Sequence, residues 1–507
     1  MLEPVIGLEI HLQLKTKTKM FCGCAARETD VPPNTNICPV CMAHPGTLPV
    51  PNEEAVRLGI KMGLALHGTI AIASKFDRKN YFYPDLPKGY QISQYDLPIV
   101  SDGWMEIDVP SADGTRITRI AITRAHLEED SAKSFHGEDG KTYVDFNRAG
   151  TPLLEIVTEP DFRTPQEAKA FLQELRLIAR TFGISEADME KGHMRCDANI
   201  SLRERDVDGN IVGLEFHPKT EIKNINSFRN VERALVFEIE RQTKLWNAGS
   251  PPATSTTRGW DDATQSTKDQ RTKEAANDYR FFPEPDIPVL ALSELADTVR
   301  RTLPELPTTR RRRFVDEYAF RPEDARHMVD EPILADYVEQ SMSELGAWIE
   351  GVGAQDGSET DAGRRKLANL VSGWLLSKLG GLLAERSIDW RLLPTKITPE
   401  NFGEFIELLA NGKLNSTTGM KVLTEMLETK SDPSTIMEEK RLGSMDDNEA
   451  LATIVDRVLC ENTDVVERYR AGKPELLNVL LGKVMRETEG TAEPEATKKI
   501  LLQRIAP

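Results

Sequence analysis

In Val5-Ile6-Gly7-Leu8-Glu9-Ile10-His11-Leu12-Gln13-Leu14, apolar and polar residues alternate without a break from Leu8 to Leu14. Leu8, Ile10, Leu12 and Leu14 share one side and Glu9, His11 and Gln13 the other, a period of two that predicts a half-buried β-strand. Its polar side places a carboxylate and an imidazole two residues apart, where they can share a metal ion or a proton. A lone E-x-H pair also suits an ordinary solvated sheet face, but related segments follow. Arg195-Cys196-Asp197-Ala198-Asn199-Ile200-Ser201 sets Arg195, Asp197, Asn199 and Ser201 against Cys196, Ala198 and Ile200, and Glu221-Ile222-Lys223 puts Glu221 beside Lys223. A strand expected over Arg119–Thr123 runs into the acidic cluster His126-Leu127-Glu128-Glu129-Asp130.

Helical spacing enters between these segments. Thr164-Pro165-Gln166-Glu167 is a capping box with proline in the first turn, Phe171, Leu175, Ile178 and Phe182 follow on one face, and Gly183 supplies the stop. Ala248–Ala276, rich in Thr, Ser, Pro and charge, reads as a long mobile loop. From about Leu292 the pattern is helical, interrupted by a Gly/Asp/Ser-rich insert over Glu350–Gly363. Thr398-Pro399-Glu400 caps a helix that buries Phe402, Phe405, Ile406 and Leu409 and closes at Asn411-Gly412. Further stripes follow at Leu451, Ile454, Val455, Val458 and Leu459 and at Leu477, Leu480, Leu481 and Val484. The expectation is an α+β protein with an antiparallel-sheet domain over 1–291, an all-α middle domain over 292–397 and a small all-α tail domain over 398–507.

A length of 507 residues exceeds what one core supports and fits this division. No apolar run approaches a membrane span and no secretory leader pattern opens the chain, so a cytoplasmic, reducing location without membrane partners is expected. A net charge of −17 excludes unselective coating of nucleic acid, while leaving room for a shaped RNA site.

Reducing conditions bear on the cysteines. Cys22-Gly23-Cys24 and Cys38-Pro39-Val40-Cys41 have the spacing of a four-thiolate structural zinc knuckle, with four free thiols as the alternative; Cys196 and Cys460 are isolated. Asp77–Gln94 interleaves basic, aromatic, proline and amide residues without helical period, a composition able to stack a base and bind phosphate. Lys88, Tyr90, Ser93 and Gln94 are its candidate nucleotide contacts. Several strands presenting carboxylates suggest one acidic pocket on a sheet, and crowded carboxylates call for a cation such as Mg²⁺. No P-loop motif occurs.

The stretches V-I-G-L-E-I-H-L-Q-L, R-K-N-Y-F-Y-P-D-L-P-K-G-Y-Q-I-S-Q, H-L-E-E-D, D-F-N-R-A-G-T-P-L-L-E-I-V-T-E-P, M-R-C-D-A-N-I-S, E-I-K-N-I-N-S and D-Y-R-F-F-P-E-P-D together resemble the B subunits of glutamyl-tRNA(Gln)/aspartyl-tRNA(Asn) amidotransferases. The resemblance runs from the first strand to the C-terminus. It implies a cradle domain holding a kinase site, a helical middle domain, a tail domain that grips tRNA, and a heterotrimer with an amidase A subunit and a small C subunit. It also implies ATP and Mg²⁺ and an ATP-dependent ligase activity on misacylated Glu-tRNA(Gln), Asp-tRNA(Asn) or both; the zinc cysteines are not universal in the family, so zinc, read from their spacing, would support shape and not reaction. Glu9, His11, Glu128 and Glu221 would form the Mg²⁺ set, with Glu129 and Asp197 as secondary candidates, and Lys223 would screen phosphate charge. Gly213–Lys219 departs from the family pattern, leaving the placement of Glu215 open. Two rival expectations are a non-catalytic tRNA-binding scaffold and the archaeal E-type subunit, whose extra domain has no room after Pro285.

Overall fold

The computed structural model describes residues 1–26, 31–111, 114–270, 278–352, 361–440, 442, 448–470, 473–488, 492 and 494–505. The chain divides into two units, Met1–Pro307 and Thr308–Pro507.

In the first unit, β1 (Leu2–Gln13) leads through the cysteine loops to α1 (Glu53–Ala65), the short strands β2 (Thr69–Ile70) and β3 (Ala73–Ser74), and the hairpin β4 (Asp77–Asn80)–β5 (Tyr90–Ser93). The long hairpin β6 (Val100–Ser111)–β7 (Gly114–Glu129) follows, then the small one β8 (Lys133–His136)–β9 (Thr142–Asp145). Next come β10 (Pro152–Thr158), α2 (Pro165–Thr181), β11 (Met194–Arg205), β12 (Ile211–Val212), β13 (Thr220–Ile225), α3 (Phe228–Asn247) and the hairpin β14 (Thr256–Asp261)–β15 (Ser266–Asp269). The short β16 (Phe282–Pro283) and β17 (Leu290–Ala291) pair with β4 and β3, and α4 (Ser293–Arg301) ends the unit.

Ten of these strands form one sheet in the order β15-β14-β13-β11-β1-β10-β7-β6-β2, with β12 added to β11. β1 is thus central, antiparallel to both neighbours, and only β13–β14 is parallel. The alternation read from the sequence explains the layering. Ile6, Leu8, Ile10 and Leu12 of β1 are fully buried in one core with Leu58 of α1, Phe171 and Leu175 of α2, and Val231 and Leu235 of α3. Each helix lays its apolar stripe on the apolar side of the sheet. The other side keeps the charged residues. α2 carries the expected capping box, with the Thr164 hydroxyl and the Glu167 side chain each accepting from the other's backbone N–H, and Gly183 follows at φ +65°.

Several expectations need correction. Residues 256–269 are not a loop: β14 and β15 extend the sheet beyond β13, and Arg258 of β14 reaches the buried Glu238 of α3 at 3.2 Å. Residues 271–276 of that stretch lie outside the described residues. β7 does not stop before the acidic cluster but runs through it to Glu129, because β6 and β10 pair with its two edges. Asp77–Gln94 is a hairpin whose two strands enclose the loop, since Asp77 to Asn80 pair with Ser93 to Tyr90.

In the second unit, helices from Pro307–Tyr318 to Pro433–Lys440 share a core running from Phe314 to Ile436, and those from Asn448–Glu461 to Pro494–Ile505 share another, including Leu451, Val455, Leu480 and Val484. The sequence division between 397 and 398 falls inside the first of these cores, where Tyr337, Ile397, Phe402 and Phe405 are all buried. Thr398 caps the helix Pro399–Ala410 through its hydroxyl, as expected. Arginines of the basic run Arg310–Arg313 are engaged in ion pairs: Arg310 meets Asp336 at 2.7 Å and also Glu339, which Arg313 contacts too. Gly363–Glu385 is long and apolar enough to cross a membrane by length and composition alone. Here Val371, Leu375, Leu379 and Leu383 of that stretch are buried among the unit's other helices. Of the Glu350–Gly363 insert, residues 353–360 lie outside the described residues.

Candidate active site and thiolate centre

The open side of the sheet gathers the polar residues of β1, β7, β10, β11 and β13. Register does this: His11 lies opposite Arg195 and Glu155, Glu9 opposite Asp197 and Val157, Glu155 opposite His126, and Asn199 opposite Glu221. Directly paired residues share a face, so four cross-strand pairings bring distant charges together.

At the centre, His11 Nε2 stands 3.4 Å from Glu128 Oε1 and 3.3 Å from Glu155 Oε2, and these three ligand atoms lie within 4.8 Å of one another. His126 Nε2 faces the same carboxylates from a second side, 3.6 Å from Glu128 and 3.4 Å from Glu155. Burial lowers the His11 pKa, but Glu128 and Glu155 outweigh it and lift it to about 10. Burial alone would raise both carboxyls; the two imidazoles instead hold them well below the usual range. Ligands at about 2.1 Å around an octahedral ion are about 3.0 Å apart, close to the spacing seen, and two carboxylates with one imidazole suit Mg²⁺ or Mn²⁺. The residues present therefore fit a divalent cation.

Of the expected set, the structure brings His11 and Glu128 together and adds Glu155. Glu9 and Glu221 lie on the same face with other partners. Asn199 Nδ2 donates to Glu9 at 2.9 Å and Lys219 Nζ is 3.9 Å away. Glu221 accepts from Thr257 Oγ1 at 3.0 Å and meets Lys223 at 3.1 Å. Lys223 also donates to Asp197 at 2.7 Å; burial works against its charge, but Asp197 and Glu221 together raise its pKa. Glu129 points away from this cluster and pairs with Lys88 at 2.7 Å. A cavity of about 610 Å³ beside Glu9 is lined by Asn199, Ser201, Phe216 and Lys219, so part of the unusual Gly213–Lys219 segment borders it, while Glu215 is exposed.

The β4–β5 hairpin caps the end of β7. Ser93 Oγ donates to Glu128 at 3.2 Å, and the Ile92 backbone N–H donates to Glu129 at 2.9 Å. Gln94 is committed to the framework, accepting from Leu127 and Ile99 backbone N–H groups and donating to Ser74. Lys88 and Tyr90 line a second cavity, of about 260 Å³, together with Arg78, Glu129, Cys22 and Cys41; Arg78 lies 4.3 Å over the Tyr90 ring.

The four sulfurs of Cys22, Cys24, Cys38 and Cys41 also lie within 4.8 Å of one another. Zn–S bonds of about 2.3 Å give tetrahedral edges of about 3.8 Å, and Cys38 and Cys41 Sγ are 3.9 Å apart. The Cys38 backbone N–H donates to Cys41 Sγ at 3.2 Å. Behind them is Lys19, only 1% exposed, whose ammonium donates to Asn36 O at 3.0 Å and approaches Cys41 Sγ at 3.7 Å. Among the described residues it meets no carboxylate, so the thiolate group is the anion that compensates its buried charge. The Cys41 thiol is drawn down to about 4, first by its hydrogen bond from Cys22 and also by Lys19, against the effect of burial. The residues fit a closed four-thiolate metal site.

Sequence reading missed Glu155 and His126. A single glutamate inside Pro152-Leu153-Leu154-Glu155-Ile156-Val157 was the available signal, since a carboxylate in a buried apolar strand needs a partner.

A family model described as the GatB/GatE catalytic domain matches residues 4–296, and one described as the GatB domain matches 359–505. By these matches the chain is built on a GatB/GatE catalytic domain followed by a GatB domain. Over 502 residues the chain is 44% identical to the B subunit of the aspartyl/glutamyl-tRNA(Asn/Gln) amidotransferase of Roseiflexus sp. (strain RS-1), covering 99% of this chain and 98% of that one. The protein of the same description from Thermotoga maritima is 43% identical over 504 residues, 98% of each chain. The chain belongs to the family of aspartyl/glutamyl-tRNA(Asn/Gln) amidotransferase B subunits.

Proposed function

We propose that the open face of the sheet activates the side-chain carboxylate of a misacylated Glu-tRNA(Gln) or Asp-tRNA(Asn) with ATP and then amidates it. The observation that carries this reading is the convergence of His11, Glu128 and Glu155 with the Asp197–Lys223–Glu221 group on one face of a family member. A carboxylate oxygen of the aminoacyl group attacks the γ-phosphorus, the bond to ADP breaks, and an acyl phosphate forms. Ammonia then attacks the carbonyl carbon and phosphate leaves with a proton, giving the amide. Two anions must approach for the first step, and preorganised positive charge is what lowers that barrier.

Lys223, kept charged by Asp197 and Glu221, supplies one such charge at a fixed position. His11, Glu128 and Glu155 would hold Mg²⁺, which when bound neutralises phosphate oxygens. Glu9, oriented by Asn199, is placed to accept a proton or a further ligand contact beside the larger cavity. Lys88 and Tyr90 offer a cation and a ring to the nucleotide. Cys22, Cys24, Cys38 and Cys41 would hold zinc, which would brace the wall of that second cavity and, with four thiolates around it, would take no part in the reaction. Ammonia comes from an amidase A subunit, with a small C subunit completing a cytoplasmic heterotrimer.

The test is the assembled complex assayed with glutamine, ATP and both misacylated tRNAs. Formation of the amide that depends on ATP and on Lys223 is expected. A complex in which Lys223→Met amidates at the wild-type rate overturns the assignment.

A further inference from the structure

We propose that His126 is a positioning residue that ties Glu128 and Glu155 together from behind, so that both present oxygens to the same point in front of His11. The inference rests on the divalent-cation reading above and adds a residue that this reading does not contain.

The geometry is specific. His126 sits on β7, two residues before Glu128 and directly opposite Glu155 of β10. It is 4% exposed, so its ring sees protein and not solvent. Its Nε2 lies 3.6 Å from Glu128 Oε2 and 3.4 Å from Glu155 Oε2, while Nδ1, also buried, has no hydrogen-bond partner among the described residues. Among the described residues its polar contacts therefore run through Nε2, which is shared between two carboxylates. On the other side, His11 Nε2 meets Oε1 of Glu128 and Oε2 of Glu155. Imidazoles and carboxylates thus alternate around a closed four-membered ring. Only one of the two imidazoles belongs to the group of ligand atoms within 4.8 Å, and that one is His11.

Two carboxylates this close repel each other, and on adjacent strands each could rotate away. A buried imidazole whose Nε2 is ion-paired with both from behind removes that freedom. Such outer partners of metal ligands carry about 10–100-fold in metal affinity. Because His126 is held by strand register and burial and not by a loop, the ligands are set before any ion arrives.

Mn²⁺ binding to the full chain, stripped of metal and followed by electron paramagnetic resonance, tests the proposal. His126→Leu is expected to weaken binding about 10–100-fold. His126→Gln, whose amide N–H reaches the same oxygens, stays close to wild type. Leu binding as tightly as wild type overturns the proposal; so does Gln binding as weakly as Leu, since the imidazole would then be a direct ligand. A metal-free measurement separates this from the cation reading. His126→Leu should lower the melting temperature in the wild-type background and have little effect in the Glu128→Gln/Glu155→Gln background. An equal fall in both backgrounds overturns the proposal whatever Mn²⁺ does. Wild type that takes up no Mn²⁺ but shows the background-dependent fall would remove the cation reading and leave the tie between the carboxylates standing.

Discussion

The four cysteine sulfurs and the His11–Glu128–Glu155 group are both sets of ligand atoms gathered within 4.8 Å, yet they are built in opposite ways. The thiolates come from two tight loops that lie within twenty residues of each other in the chain. They supply the four donors that a tetrahedral ion would need and are backed by a buried lysine that offsets their charge. The imidazole–carboxylate group draws on three strands whose residues lie up to 144 positions apart (155 − 11), and it supplies only three donors. A six-coordinate ion held there keeps positions for water or phosphate oxygens. The closed set can hold shape and the open set can do chemistry, and the difference follows from donor number and from what stands behind each set.

The largest expected effect separates the two by activity. Glu128→Gln and Glu155→Gln should each lower ATP-dependent amidation by about 10²–10³-fold while glutamine hydrolysis in the assembled complex persists. Cys24→Ser should leave amidation per folded molecule close to wild type. Equal losses from both kinds of variant would erase the distinction. Next comes stability: Cys22→Ser with Cys41→Ser should abolish zinc measured by elemental analysis. Loss of a structural metal should cost several kcal/mol, read as a melting temperature about 10 °C lower.

A smaller effect concerns Lys19. Lys19→Met removes the buried cation behind Cys41 and should weaken zinc retention against a chelator about tenfold, with no change in Mn²⁺ binding at the other centre. If both metals are lost, the two centres are not independent.

The smallest effect is a pH signature in metal-free protein. His11 has a folded-state pKa near 10, above its ordinary 6.5. Its contribution to stability is therefore fully present below about pH 6.5 and is lost as pH rises towards 10. Glu128 and Glu155, held low by the imidazoles, contribute stability above their ordinary range near 4.5 that is lost on acidification. Stability of the stripped chain should fall on both sides. Mn²⁺ should flatten the alkaline limb, because a coordinated imidazole is already neutral. An alkaline limb unchanged by Mn²⁺ would take His11 out of the ligand set.

Whatever depends on neighbours in the chain was legible from the residues. The alternation of β1, the Thr164 capping box, the Thr398 cap and the C-x-C…C-x-x-C spacing each encode a structure within about twenty positions, and the structure shows each. The β14–β15 hairpin was not legible. Thr256-Thr257-Arg258-Gly259-Trp260-Asp261 has too few apolar residues to display a period, and becomes a strand because β13 pairs with it and Glu238 receives Arg258. The extent of β7 was hidden for a similar reason: His126, Glu128 and Glu129 look like a loop until strands on both sides and the β4–β5 hairpin supply their partners.

The same division runs through the candidate site. The residues alone determined that Glu9, His11, Asp197, Glu221 and Lys223 would each stand on the polar side of a strand, since side chains alternate whatever the strand's neighbours are. Which of them meet was decided by strand order. With β10 between β1 and β7, His11 faces Glu155 and Glu128, while β11 on the other edge gives Glu9 to Asn199 and Lys223 to Asp197. Strand order is a property of long-range pairing and burial, which no local pattern carries, and for that reason the meeting of Glu155 and His126 with Glu128 became visible only in the folded chain, even though the lone Glu155 in an apolar strand hinted at a partner.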